Sequence, residues 1–100
     1  MAVTSISRWN GGSHADVVAF AKKLKPIFRK VEGEYQADQI YSGPHAGQWL
    51  ISIRYRDWET YGKAMQALTN DTAYLEILAD VGAISQLMDR TLVVAVDLSA

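Results

Sequence analysis

The stretch Gln48-Trp49-Leu50-Ile51-Ser52-Ile53-Arg54-Tyr55-Arg56 decides the fold. Trp49, Ile51, Ile53 and Tyr55 alternate with Gln48, Ser52, Arg54 and Arg56, and Leu50 alone breaks the polar set. Successive side chains of a strand point to opposite faces, so this period of two describes a β-strand with one apolar face. Before it, Ser42-Gly43-Pro44-His45-Ala46-Gly47 gathers two glycines and a proline into a turn. The segment 35–41 then reads as a second strand, and the pair as a hairpin. After it, Asp57 is placed to cap a helix, with Glu59 in the first turn. Tyr61, Ala64, Met65 and Leu68 make the inner face of that helix. Asn70-Asp71 interrupts it and recaps a further helix, lined on one side by Leu75, Leu78, Val81 and Ile84.

Further out, the segment 3–9 mixes β-branched, hydroxyl and aromatic residues and stops at Asn10-Gly11-Gly12, a strand followed by a breaker. Val17, Phe20, Ala21, Leu24, Ile27, Phe28 and Val31 recur at helical spacing. Ser13 and Asp16 fit a capping box at the start of this helix. Lys22, Lys23, Lys25, Arg29 and Lys30 fall in its second half, where the helix dipole favours cations, and read as a solvated outer face. Pro26 predicts a kink near Lys22, because it cannot donate to the carbonyl four residues back. Gly33 is expected to end the helix. Asp89-Arg90 is expected to lead into the last strand, 91–98. The order β-α-β-β-α-β, with the second helical region broken in two, is the ferredoxin-like α+β pattern. It predicts a four-stranded antiparallel sheet with helices on one face, formed by residues 1–100 as a single domain.

Composition narrows the function classes. Of 100 residues, 49% are hydrophobic and 21% charged, which excludes a disordered or low-complexity chain. With no cysteine there is no disulfide scaffold and no thiolate metal site. Ten basic and eleven acidic residues give a net charge of −1, so neither nucleic acid nor an anionic membrane is an expected partner. The N-terminus lacks the charged and apolar regions of a signal peptide, and no apolar stretch is long enough for a span. A soluble cytoplasmic protein is expected.

The second face of the sheet is the informative one. If Trp49, Ile51, Ile53 and Tyr55 meet the helices, then Leu50, Ser52, Arg54 and Arg56 point away. The last strand is apolar on both sides, with Leu92, Val94, Val96 and Leu98 alternating with Val93, Ala95 and Asp97. Strands apolar on both faces are normally covered on both. Two such sheets pairing face to face would cover the patch and enclose a lumen, which predicts a two-fold homodimer.

Arg54 stands out as a charge in mid-strand on the face opposite the isoleucines. Its partner is either Asp97 or Asp38, or the carboxylate or phenolate of a ligand. Trp9, Tyr41, Trp49, Tyr55 and Trp58 could line a pocket for a flat ligand, although Trp49 and Tyr55 fit the core better. Ligand-pocket candidates are therefore Arg54, Trp9, Tyr41, Ser52 and Trp58. No catalytic triad surrounds Ser5, Ser7 or Ser52. His14 sits at a helix start and His45 in a turn. No third histidine or carboxylate joins them at ligand spacing, so no metal and no cofactor is expected.

Tyr41 to Trp49 running into a strand, then Arg56-Asp57-Trp58-Glu59-Thr60-Tyr61-Gly62-Lys63-Ala64-Met65 and the break Asn70-Asp71-Thr72-Ala73-Tyr74, resembles the dimeric α/β-barrel superfamily. The likeness is to its NIPSNAP-like and antibiotic-biosynthesis-monooxygenase-like branches, in particular small bacterial members without an assigned activity. It covers nearly the whole chain as a fold. It implies a homodimer whose sheets form a β-barrel, with a ligand between sheet and helices or in the lumen. The haem-degrading branch uses a helix histidine as axial ligand, and the second helical region here has none. The resulting expectation is a protein that binds a small aromatic or acidic molecule, as a cofactor-free oxygenase or isomerase. Arg54 would steady an oxyanion, and aromatic groups near Trp9 and Trp58 would hold the ring. The alternative is a non-catalytic dimerisation or interaction module with a packed lumen.

Overall fold

The computed structural model describes residues 1–99. The elements are β1 (Val3–Asn10), α1 (His14–Lys30), β2 (Glu34–Gln39), β3 (Trp49–Tyr55), α2 (Trp58–Thr69), α3 (Thr72–Ile84) and β4 (Gln86–Val94). The sheet runs β2-β3-β1-β4 with every pair antiparallel. This is the ferredoxin-like α+β arrangement, with the second helical region divided as the sequence predicts.

All three helices start on the side chains expected to start them. Ser13 and Asp16 form a reciprocal capping box, Asp57 accepts from the Thr60 N–H at 2.8 Å, and Asp71 accepts from the Tyr74 N–H at 3.0 Å. Each satisfies a backbone donor that has no partner within its own helix. These bonds hold the Asp16 and Asp57 carboxyls below the usual range.

Three expectations are corrected. Pro26 does not interrupt α1, which is continuous over 17 residues. Lys22 and Pro26 both lie on the exposed side, so the freed carbonyl of Lys22 faces water. The helix end is not made by Gly33: Val31 caps it, and Glu32 takes the left-handed conformation with φ 62°. Gly33 is needed for closeness instead. A Cβ there would stand 2.9 Å from Ile53 Cγ2 and 3.0 Å from Tyr55 Cε1. The last strand begins earlier than 91, at Gln86, because pairing with β1 starts opposite Asn10. It also ends earlier, at Val94, which lies opposite Val3 where β1 begins. Only one further backbone bond, from Ala95 N–H to Ala2 O at 2.9 Å, ties down the segment beyond.

Leu24 and Phe28 of α1, Ile53 and Tyr55 of β3, and Ala64 and Leu68 of α2 form the core. Phe28 stacks on Tyr35 and meets Tyr74 edge-on, with centroids 5.8 and 5.6 Å away. Tyr55 is fully buried, yet its hydroxyl has no hydrogen-bond partner. A buried unsatisfied hydroxyl costs about 1–3 kcal/mol. Tyr55→Phe is therefore expected to raise stability by about 1 kcal/mol. Chemical denaturation checks this, and a midpoint that falls instead would contradict it.

Candidate functional site

Register assigns each strand residue to one side of the sheet. Val3, Ser5, Ser7 and Trp9 of β1 lie beside Tyr55, Ile53, Ile51 and Trp49 of β3, on the side facing the helices. Opposite Ser7, Ser5 and Val3 on the other flank, β4 places Arg90, Leu92 and Val94 on that same side. The other face carries three rows across the four strands. These are Glu34-Arg54-Thr4-Val93, Gln36-Ser52-Ile6-Thr91 and Asp38-Leu50-Arg8-Asp89.

Between helices and sheet lies a cavity of about 80 Å³. Its apolar wall comes from Phe20, Leu24 and Phe28 of α1, Ile51 and Ile53 of β3, and Leu78 and Val81 of α3. Its polar groups are few. Ser7 and Trp9 are already bonded to each other, the indole N–H donating to the serine Oγ at 2.9 Å. The Trp49 indole N–H donates to the Gly12 carbonyl at 3.3 Å. Both indoles are thus satisfied and offer flat surfaces. Arg90 is the cation of the cavity, and no carboxylate pairs with it among the described residues.

One end of the cavity is framed by two backbones in close approach. Gly11 has φ 104°, and a Cβ on it would lie 2.8 Å from the Ile84 carbonyl oxygen. Ser85 Oγ donates to the Asn10 carbonyl at 3.3 Å across the same junction. The turn after β1 and the end of α3 are thereby held together.

Three phenols surround the apolar wall, and burial governs them. It pushes the Tyr35 hydroxyl up to about 12 and raises Tyr74. Burial also raises Tyr55, helped by Tyr74 and Tyr61, while the Arg90 charge pulls both Tyr55 and Tyr74 the other way. Below pH 10 the folded and unfolded chains both hold these protons. From pH 10 to about 12 the unfolded chain releases them and the folded chain keeps them, so stability falls as pH rises. Denaturant midpoints measured between pH 9 and about pH 12 should decline steadily, with little change between pH 7 and about pH 9.

Of the five ligand-pocket candidates, Trp9 alone lines this cavity. Arg54 and Ser52 stand on the opposite face of the sheet. Arg54 pairs with Glu34 at 3.7 Å, rather than with Asp97 or Asp38, because register sets Glu34 directly beside it. Asp38 accepts instead from Gln36 at 2.9 Å, and Asp97 from Ser99. The Arg54–Glu34 pair is exposed and worth about 0–1 kcal/mol. Tyr41 is 96% exposed at the end of the hairpin, and Trp58 sits half-exposed at the start of α2 against Tyr61. The chain does not bring these five together.

Two arginines were harder to place from sequence. Arg90 seemed a connector, and only the earlier start of β4 turns it into a helix-facing strand residue. Arg8 lies on the open face with its side chain 15% exposed. It donates to Asp89 Oδ2 at 2.6 Å and to Gln48 Oε1 at 2.5 Å, and it contacts His45 Nδ1 at 3.2 Å. The alternation of β1 alone permitted either face for it. Among the described residues no three histidine, cysteine or acidic side chains gather as a metal set. No helix there is long and apolar enough to cross a membrane.

A cavity roofed by helices over one face of a four-stranded antiparallel sheet defines the structural class, and solved structures share it. A NIPSNAP family protein of unknown function from Agrobacterium tumefaciens superimposes with a TM-score of 0.74 at 12% identity, covering 98% of this chain and 91% of that one. SnoaB, a cofactor-independent oxygenase from Streptomyces nogalater, matches with a TM-score of 0.69 at 14% identity, covering 98% and 96%. Rv0793 from Mycobacterium tuberculosis matches over the full length of both chains, with a TM-score of 0.68 at 17% identity. The chain thus has the ferredoxin-like fold of NIPSNAP proteins and SnoaB-like oxygenases. No family model and no curated protein matches its sequence.

Proposed function

We propose that this protein is a homodimer that binds a small aromatic or acidic organic molecule, and that it acts on it as a cofactor-free oxygenase or isomerase. The observation that carries the reading is the apolar, aromatic-walled cavity with one unpaired cation, Arg90, at its side. A guanidinium in a poorly solvated site favours the ionised form of a phenol, enol or carboxylic acid. An ionised phenol or enol is electron-rich enough to react with dioxygen or to shift a proton along its framework. Trp9 and Trp49 supply the flat contacts such a ring needs. SnoaB, itself a cofactor-independent oxygenase, offers a precedent for such chemistry on this fold.

The open face supports the dimer. Ile6, Leu50 and Val93 stand there among Thr4, Ser52 and Thr91, a mixed surface suited to a twin. In that dimer Arg54 and Ser52 face a shared lumen, which gives the ligand a second place to lie.

Cavity size favours a second reading. Engineered apolar cavities of about 150 Å³ admit benzene, and ligand pockets run to ~300 Å³ and above. At about 80 Å³ the space holds a fragment until a wall moves. A non-catalytic dimerisation module needs nothing more. The wall free to move is α3, which contributes no buried residue.

Intrinsic tryptophan fluorescence, titrated with phenols, naphthols, quinones and aromatic acids, separates the two. A saturable quench by at least one class, weakened at least tenfold in Arg90→Met and reduced in amplitude in Trp9→Phe, is the expected result. Silence across all classes would favour the non-catalytic module.

A further inference from the structure

We infer that the C-terminal segment 95–99 of one copy packs along the helix-side strip of the partner copy's β4, closing the flank of the cavity beside Arg90. This rests on the dimer proposed above and says where the second copy enters the site.

The strip is Arg90, Leu92 and Val94. These residues share a side with fully buried Val3 and with Ser7 of the cavity, yet Leu92 is 41% and Val94 37% exposed. The helices cover the sheet up to β1 and leave its last strand bare on their own side. The same chain carries a matching segment with nothing to rest on. Val96 is 76% and Leu98 88% exposed, two alternate residues of an extended stretch.

The two surfaces cannot meet within one copy. Ala95 is bonded to Ala2 at the end of the sheet, so the chain beyond continues outward at about 3.3 Å per residue. Val96 follows that tether immediately, and laying it over Leu92 of its own chain would require a reversal within a single residue. A second copy related by a two-fold axis solves the problem twice over, since each tail then finds the other's strip. Charge agrees with this pairing. Asp97, between the two apolar residues, is bonded only to Ser99. Arg90 has no carboxylate partner among the described residues. Acidic tail and basic strip attract across copies and repel their own kind.

Because the chain has no cysteine, cross-linking tests the placement cleanly. Leu92→Cys and Leu98→Cys chains are mixed, exchanged and oxidised. A disulfide-linked species of twice the 11.1 kDa chain mass, formed from the mixture in excess over either variant alone, is the expected result. In a Leu92→Cys/Leu98→Cys chain the bond should again link two copies. Full-length Val96→Asp/Leu98→Asp is expected to keep its circular dichroism and to raise the dimer dissociation constant on the order of tenfold or more, since two apolar side chains lose their burial. A wild-type chain that scatters light as a monomer at micromolar concentration would remove the dimer itself. A wild-type dimer that gives no mixed cross-link, or a bond formed within one chain, or an unchanged dissociation constant in the aspartate variant, would overturn the tail placement and leave the dimer standing.

Discussion

Phe28→Ala should lose about 3–5 kcal/mol of folding free energy. Phe28 is 4% exposed and lies between Tyr35 and Tyr74, so truncation removes a large apolar transfer term and two aromatic contacts together. It also opens a void beside a cavity that already exists, and the α1 backbone cannot collapse to fill it. Small domains hold only about 5–15 kcal/mol in total. The melting temperature should therefore fall by about 15 °C or more, while Phe28→Leu should fall by less than half as much. A melting curve for Phe28→Ala within a few degrees of wild type would mean that the core is not organised around this ring.

Gly33→Val should cost about 3 kcal/mol, and Gly33→Ala somewhat less. Here the obstacle is contact and not backbone conformation. The first added carbon already meets Ile53 Cγ2 at 2.9 Å and Tyr55 Cε1 at 3.0 Å, and both neighbours belong to the buried core. Overpacking of this kind forces side chains from their rotamers or moves the start of β2 away from β3. Gly62 provides the control. It sits inside α2 with nothing within 4 Å, so Gly62→Ala should gain about 0.5–1 kcal/mol from helix propensity. Urea denaturation of the three variants should order them alanine-62, wild type, valine-33 from most to least stable.

Much of the fold was legible because its signals are local. The alternation in β3 and the caps at Ser13, Asp57 and Asp71 depend on residues within a turn of one another, and each appears where expected. The misplaced boundaries share a cause. Where β4 starts and stops is set by β1, a strand about 90 residues earlier in the chain, and nothing in the segment 86–98 records that pairing. Its apolar run Leu92 to Val96 looked like the body of the strand, while in the fold it straddles the point where β1 begins.

The site was less legible for the same reason. Arg54 was singled out correctly as facing away from the isoleucines, but the cavity formed on the other side of the sheet. Arg90 reached that cavity through the shift of β4 and through its place opposite Ser7. Trp9 was recoverable, because its neighbour Trp49 fixes the inner side once β1 and β3 are paired. Tyr41 and Trp58 were chosen for their chemistry, and their exposure follows from a loop and a helix start that no strand pattern constrains.

The central position of β1 has a kinetic consequence. Its two neighbours, β3 and β4, lie roughly half a chain and nearly a whole chain downstream. On the ribosome the first strand made is therefore the last to be fully flanked, and one of its edges stays unsatisfied until the final residues emerge. Such high contact order slows folding and lengthens the window for mispairing between nascent chains. Assistance during synthesis should matter more for this small domain than its size suggests.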